Sequence, residues 1–127
     1  MITAFHHVAI IVSSEKNLEF YRILGFTETF RQVRKWDTVV LMQGHGIELE
    51  IFIDSKHAER GTGINEPYGL RHFALEVDGT LDTEIEKLKN STTEVFEVGP
   101  IMTDWTGIRF LFVKDYDGMS IELREKR

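Results

Sequence analysis

The apolar positions of this chain change period along its length, and each change marks an element. In "FHHVAIIV" (5–12), Val8, Ile10 and Val12 alternate with His7, Ala9 and Ile11. Side chains two apart share a face of a strand, so this segment is predicted as a strand. One of its faces is bulky and apolar; the other carries a histidine beside smaller residues. Ser13-Ser14 then offers a helix N-cap. Leu18, Tyr21 and Leu24 recur at helical spacing, and Gly25 is a natural stop. Strands are predicted at 26–33 and 36–43. His45-Gly46 turns the chain into "IELEIF" (47–52), where Glu48 and Glu50 alternate with Ile47, Leu49 and Ile51. Residues 54–69 are polar, hold three glycines and one of the two prolines, and read as a linker.

The order then starts again. A strand covers 70–77. Leu81, Ile85 and Leu88 mark a helix from near Thr80 to Asn90-Ser91, and strands follow at 93–99, 108–114 and 119–125. Between the last three lies a turn-rich stretch, 99–107, with Trp105 expected to be exposed. The chain therefore reads βαβββ twice, an α+β pattern with module one at about 4–53 and module two at about 70–125. The repeat is visible in residues as well as in elements. His7 and His72 occupy the first strand of each module, each followed two residues later by Ala (Ala9, Ala74). Gly46 precedes Glu50 by four residues, and Gly118 precedes Glu122 by four.

Two tandem copies of a small unit are expected to pack about a pseudo-twofold axis, by analogy with symmetric dimers. His7, Glu50, His72 and Glu122 would then converge on one site. Two imidazoles and two carboxylates suit a borderline divalent metal: Ni, Zn, Co, Mn or Fe. A ligating carboxylate that detaches could also move a proton on an adjacent carbon. The remaining candidates are read more plainly. His6 lies on the wrong face and is assigned to the surface or to helix packing. His45 and His57, in turn and loop, are expected to be solvated. Glu48 and Glu76 are assigned to the rim of the site, with a supporting base as the other reading. Phe52, Phe110, Phe112 and Trp105 could line an apolar pocket, but aromatics on strands are more often core, and the strand phenylalanines are assigned there.

Composition narrows the class. The net charge of −6 over 127 residues, with basic residues scattered, argues against nucleic-acid binding. The one short basic cluster, Arg31, Arg34 and Lys35, reads as a solvated strand edge. With no cysteine there is no thiolate ligand, thiol nucleophile or disulfide. No apolar run approaches membrane-spanning length and no leader pattern opens the chain, so a cytoplasmic protein is expected, with neither membrane nor nucleic-acid partner.

"FHHVAIIV", "NLEFYRILGF", "IELEIF", "YGLRHFALEV" and "KDYDGMSIELRE" resemble the vicinal oxygen chelate superfamily, over about residues 4–125. That superfamily includes glyoxalase I, methylmalonyl-CoA epimerase, fosfomycin-resistance thiol transferases, bleomycin-binding proteins and extradiol dioxygenases. The resemblance implies one domain over 1–127, built of paired βαβββ modules that form a curved, cup-shaped mixed sheet around a central metal. It maps the metal ligands to His7, Glu50, His72 and Glu122. A His-Glu-His-Glu set is most similar to glyoxalase I. It implies a metal-dependent lyase or isomerase that transfers a proton on a small 2-oxo-derived or thioester-like substrate. Glu122 would be the main base and Glu50 its counterpart. An epimerase, or a small-molecule-binding resistance protein without turnover, is the alternative. The resemblance also implies a homodimer. Glutathione-dependent members carry Arg four residues after the first histidine and Asn shortly after the mid-chain glutamate. Here the first position is Ile11 and "IFIDSK" has no Asn, which speaks against glutathione as cosubstrate.

Overall fold

The computed structural model describes residues 1–56, 68–91 and 97–126. His57, most of the linker and the first part of the strand expected at 93–99 lie outside the described residues. The chain divides into two compact units, Met1–Ala58 and Glu59–Arg127. Each is α+β.

Unit one runs β1 (His7–Val12), α1 (Lys16–Ile23), β2 (Thr27–Val33), β3 (Thr38–Gly44) and β4 (Ile47–Ile53). Its four-stranded mixed sheet has the order β1-β4-β3-β2, with β1 parallel to β4 and the other pairs antiparallel. The alternation in the sequence is the alternation of burial. Ile10, Val12, Leu49 and Ile51 face the core with Val40 and Met42, where α1 adds Leu18, Phe20 and Tyr21. The helix begins later than Ser13-Ser14 predicts. Glu15 is its N-cap residue without a side-chain cap, while the Ser14 carbonyl accepts from the Asn17 backbone and amide nitrogens. Its end follows the prediction. Gly25, at φ +101°, sits just past the C-cap, its N–H bonding the Arg22 carbonyl and the Phe26 N–H bonding that of Tyr21.

Unit two runs β5 (His72–Val77), α2 (Leu81–Asn90), β6 (Glu97–Val98), β7 (Met102–Thr103), β8 (Arg109–Lys114) and β9 (Ser120–Glu125). Its sheet has the order β5-β9-β8-β6, β7 pairs with β8 off that path, and β5 is parallel to β9. The short β7 falls inside the stretch read as turn alone. α2 starts where expected: the Thr80 hydroxyl accepts from the Thr83 N–H, and Glu125 of β9 accepts from the Leu81 N–H at 2.9 Å. Leu81 and Leu88 of α2 are buried, as are Leu111 and Val113 of β8 and Ile121 and Leu123 of β9, the two strands that α2 packs on. Among the described residues no helix is long and apolar enough to cross a membrane.

Candidate metal centre

The parallel pairing of first and last strand in each unit brings each histidine beside its glutamate. In β1–β4, Ala9 stands opposite Glu50 and His7 opposite Glu48; in β5–β9, Ala74 stands opposite Glu122 and His72 opposite Ser120. The methyl side chain of alanine leaves the space beside each glutamate open, and the histidine reaches into it diagonally. His7 Nε2 lies 3.8 Å from Glu50 Oε1, and His72 Nε2 lies 3.8 Å from Glu122 Oε1. The same atoms, at the same separation and in the same register, thus recur in both units.

That separation is informative. It is too long for a hydrogen bond. Two ligands bound at about 2.0–2.2 Å to one ion lie about 3.0 Å apart at a right angle and about 3.4 Å apart at the tetrahedral angle, so at 3.8 Å a movement of a few tenths of an ångström brings the pair onto a shared cation. The donor set, imidazole nitrogen and carboxylate oxygen, suits a divalent transition metal or zinc. In unit two the buried Nδ1 of His72 has no hydrogen-bond partner among the described residues, so neither ring nitrogen is tied up by a protein hydrogen bond. The residues fit a metal.

The surroundings of the two pairs differ. In unit one, His6 is exposed as expected but does not simply face solvent. Its Nδ1 lies 2.8 Å from His7 Nδ1 and 3.9 Å from Glu48 Oε2. His6, His7 and Glu48 are close enough to hold an ion themselves, but unit two has Arg71 and Ser120 at the corresponding positions. The pairing through Nε2 is the one that repeats. A proton on His7 Nδ1, donated to His6, leaves the Nε2 lone pair facing Glu50. The dipeptide "HH" was the signal for this contact, and strand alternation concealed it because His6 precedes β1.

In unit two, Arg124 lies two residues beyond Glu122 on the same face. Its Nη1 donates to Glu122 Oε2 at 3.3 Å and its Nη2 to Asp104 Oδ2 at 2.7 Å. The other oxygen of Asp104 accepts from the Thr106 hydroxyl, the Thr106 N–H and the Ile108 N–H. The Thr106 hydroxyl first, then Arg124 and the backbone donors, hold the Asp104 carboxyl well below the usual carboxylate range against the opposing effect of burial. Asp104 and Glu122 in turn raise Arg124 above its usual value. The residue equivalent to Arg124 in unit one is Phe52, with the Arg34 guanidinium 5.4 Å from its ring centre. Arg34 is held by Asp37 through two bonds of 2.7 Å.

Other expectations need revision. Phe52, Phe110 and Phe112 are half-buried on the face of the histidines and glutamates, not in the core. Phe112 packs its ring edge-to-face with His72, centroids 5.0 Å apart, and with Phe110 at 5.8 Å. His45 is not merely solvated: at φ 52° its Nε2 lies 2.6 Å from the Leu24 carbonyl and its ring packs on Phe26. Trp105 is exposed as expected, and Glu76, assigned to the rim, is exposed. Glu48 is half-buried and accepts from Gln43 at 3.2 Å. Arg31 and Arg34 are paired with Glu28, Glu15 and Asp37.

A tandem βαβββ fold with a His–Glu pair repeated in each half defines a class of small α+β proteins. The chain belongs to the Glyoxalase/Bleomycin resistance protein/Dioxygenase superfamily, whose family model matches residues 4–123. It is 35% identical to the uncharacterized protein YaeR of Escherichia coli (strain K12), over 95% of each chain. Among solved structures, the glyoxalase family protein from Enterococcus faecalis superposes with a TM-score of 0.85 at 33% identity, covering 96% of this chain and 97% of that one. The fosfomycin resistance protein FosX from Listeria monocytogenes shares the fold, with a TM-score of 0.75 at 21% identity over 100% and 96% of the two chains. A variant of FosX has been solved in complex with Mn(II) and 1S,2S-dihydroxypropylphosphonic acid.

Proposed function

We propose that the chain is a metal-dependent lyase or isomerase of glyoxalase type, acting on a small 2-oxo-derived or thioester-like substrate through two neighbouring oxygens. The observation that carries this reading is the duplicated pair: His Nε2 and Glu Oε1 at 3.8 Å, in equivalent register, once in each unit. In this reading His7, Glu50, His72 and Glu122 form one ligand set for a divalent ion (Ni, Zn, Co, Mn or Fe). The Mn(II) held by FosX, on the same fold, agrees with it. A bound ion would supply Lewis acidity to the two substrate oxygens.

The chain supplies the proton chemistry. His7 and His72 hold Nε2 toward the site, His7 by the contact of its Nδ1 with His6. A glutamate carboxylate takes a proton from a carbon bearing one substrate oxygen and returns it to the neighbouring carbon. The product is then an isomer of the substrate, so the step needs no oxidant or reductant. Phe110 and Phe112 offer an apolar wall beside His72. The working unit in this reading is a homodimer, for which sedimentation should give the mass of two chains.

The test has two stages. Protein purified without chelator should hold about one divalent ion per ligand set. His7→Ala and His72→Ala should each weaken metal binding by more than about 100-fold, beyond what an outer-shell partner costs. The loaded protein, incubated in D2O with the methylglyoxal adducts of several thiols, should exchange the substrate proton, as followed by NMR. The Glu50→Gln/Glu122→Gln double variant should not. A protein that takes up metal and binds such adducts without exchange is a binding protein; one that takes up no metal refutes the ligand set.

A further inference from the structure

The two glutamates of the repeated pair are not equally free, and the difference lies two residues along each last strand. Glu122 is held at both oxygens. Oε1 faces His72 at 3.8 Å, and Oε2 accepts from Arg124 at 3.3 Å. Arg124 is itself fixed, because its second nitrogen reaches Asp104 at 2.7 Å, and Asp104 is anchored by three donors of the 104–108 turn. A guanidinium fork with both prongs engaged is a rigid brace. Glu50 has its Oε1 facing His7 at the same 3.8 Å, but its Oε2 meets no ion pair or hydrogen bond among the described residues. Phe52 stands where Arg124 would be. Arg34, kept charged chiefly by Asp37 and last by Glu50, commits two nitrogens to Asp37.

We infer that Arg124 is a positioning residue that fixes Glu122 as a permanent metal ligand, leaving Glu50 as the carboxylate that detaches and moves the proton. This reverses the roles implied by resemblance, where Glu122 is the main base. It rests on the metal reading above and adds to it a division of labour. A carboxylate braced at its far oxygen must break a charge-assisted bond to rotate, whereas an unbraced one rotates about its last torsion at little cost.

The test uses Mn(II) alone as probe, with free Mn(II) read by electron paramagnetic resonance. Glu122→Gln should weaken Mn(II) binding by at least about 10-fold more than Glu50→Gln does, because a fixed ligand contributes more to affinity than one that is readily released. In an Arg124→Met background the Glu122→Gln penalty should shrink to within about 3-fold of the Glu50→Gln penalty, while the Glu50→Gln penalty itself stays the same. Arg124→Lys keeps the charge without the fork and should fall between wild type and Arg124→Met, which guards against a folding defect in the methionine variant. Equal penalties for the two glutamates, or a Glu122 penalty indifferent to residue 124, overturn the inference while leaving the metal site standing. A wild-type protein that takes up no Mn(II), Zn(II) or Ni(II) overturns the metal reading and this division of roles together.

Discussion

Each unit places a histidine and a glutamate 3.8 Å apart on neighbouring parallel strands, and the shells around those two pairs have little in common. Unit one backs its histidine with a second imidazole, His6, and leaves its glutamate beside Phe52. Unit two buries the histidine Nδ1 without a partner among the described residues and braces its glutamate through Arg124 and Asp104. What is duplicated is a His–Glu pair in the same register and at the same separation. What differs is the set of neighbours around each pair. In the proposed ligand set, those neighbours would decide how firmly each ligand is held.

The comparison breaks first if the two scaffolds are unequal. Leu49 and Ile121 are equivalent residues, both fully buried, on the face of β4 and β9 opposite the glutamates. Leu49→Ala and Ile121→Ala should each cost about 2–5 kcal/mol, from lost burial plus the cavity left behind. Urea denaturation measures both. A cost below about 1 kcal/mol at either position would mean that one unit repacks freely and cannot hold its pair as the other does.

A smaller effect sharpens the contrast between the histidines. His6→Ala removes the group that contacts His7 Nδ1 and should weaken metal binding by about 10-fold, the lower end of what outer-shell partners contribute. Protein stability should stay within about 0.5 kcal/mol of wild type, since His6 is exposed. Titration of a chelator-stripped sample checks it. Unchanged affinity would make His6 a surface residue after all.

Much of this was legible in the residues, for physical reasons that also set its limits. Burial alternates with period two in β1, β4 and β9, so the core positions of these strands, the common face of His7 and Glu50 in unit one and the face of Glu122 in unit two follow from the pattern. Gly25 and Thr80 marked their helix ends because a positive φ and a side-chain cap each restrict residue type. Ser13-Ser14 misled because the chain satisfies the helix start through the Ser14 carbonyl, a backbone group that any residue carries. Arg124 was hidden for a different reason. Its partner Asp104 lies 20 residues away, and no local spacing announces a contact made across a hairpin. Phe110 and Phe112 were assigned to the core because aromatic content alone does not say which face of β8 is buried.

The smallest expected effect concerns that hairpin, and its sign is fixed by linkage. The Asp104 carboxyl is held well below the usual carboxylate range, by the Thr106 hydroxyl first and Arg124 after it. A folded-state value below the unfolded one means that ionised Asp104 favours the folded protein. That contribution is fully present above the unfolded value of about 3.9 and is lost as pH falls toward the folded value. Asp104→Asn keeps an acceptor for the Thr106 and Ile108 donors and removes the charge that fixes Arg124. The variant should melt slightly below wild type at pH 6–7, and the two Tm curves should converge as the pH drops below about 4. Screened by solvent, the difference should also shrink at high salt. Curves that stay parallel down to pH 2 would show that the turn is held by its neutral hydrogen bonds alone. Arg124 would then be free to leave Glu122, and the asymmetry between the two units would lose its anchor.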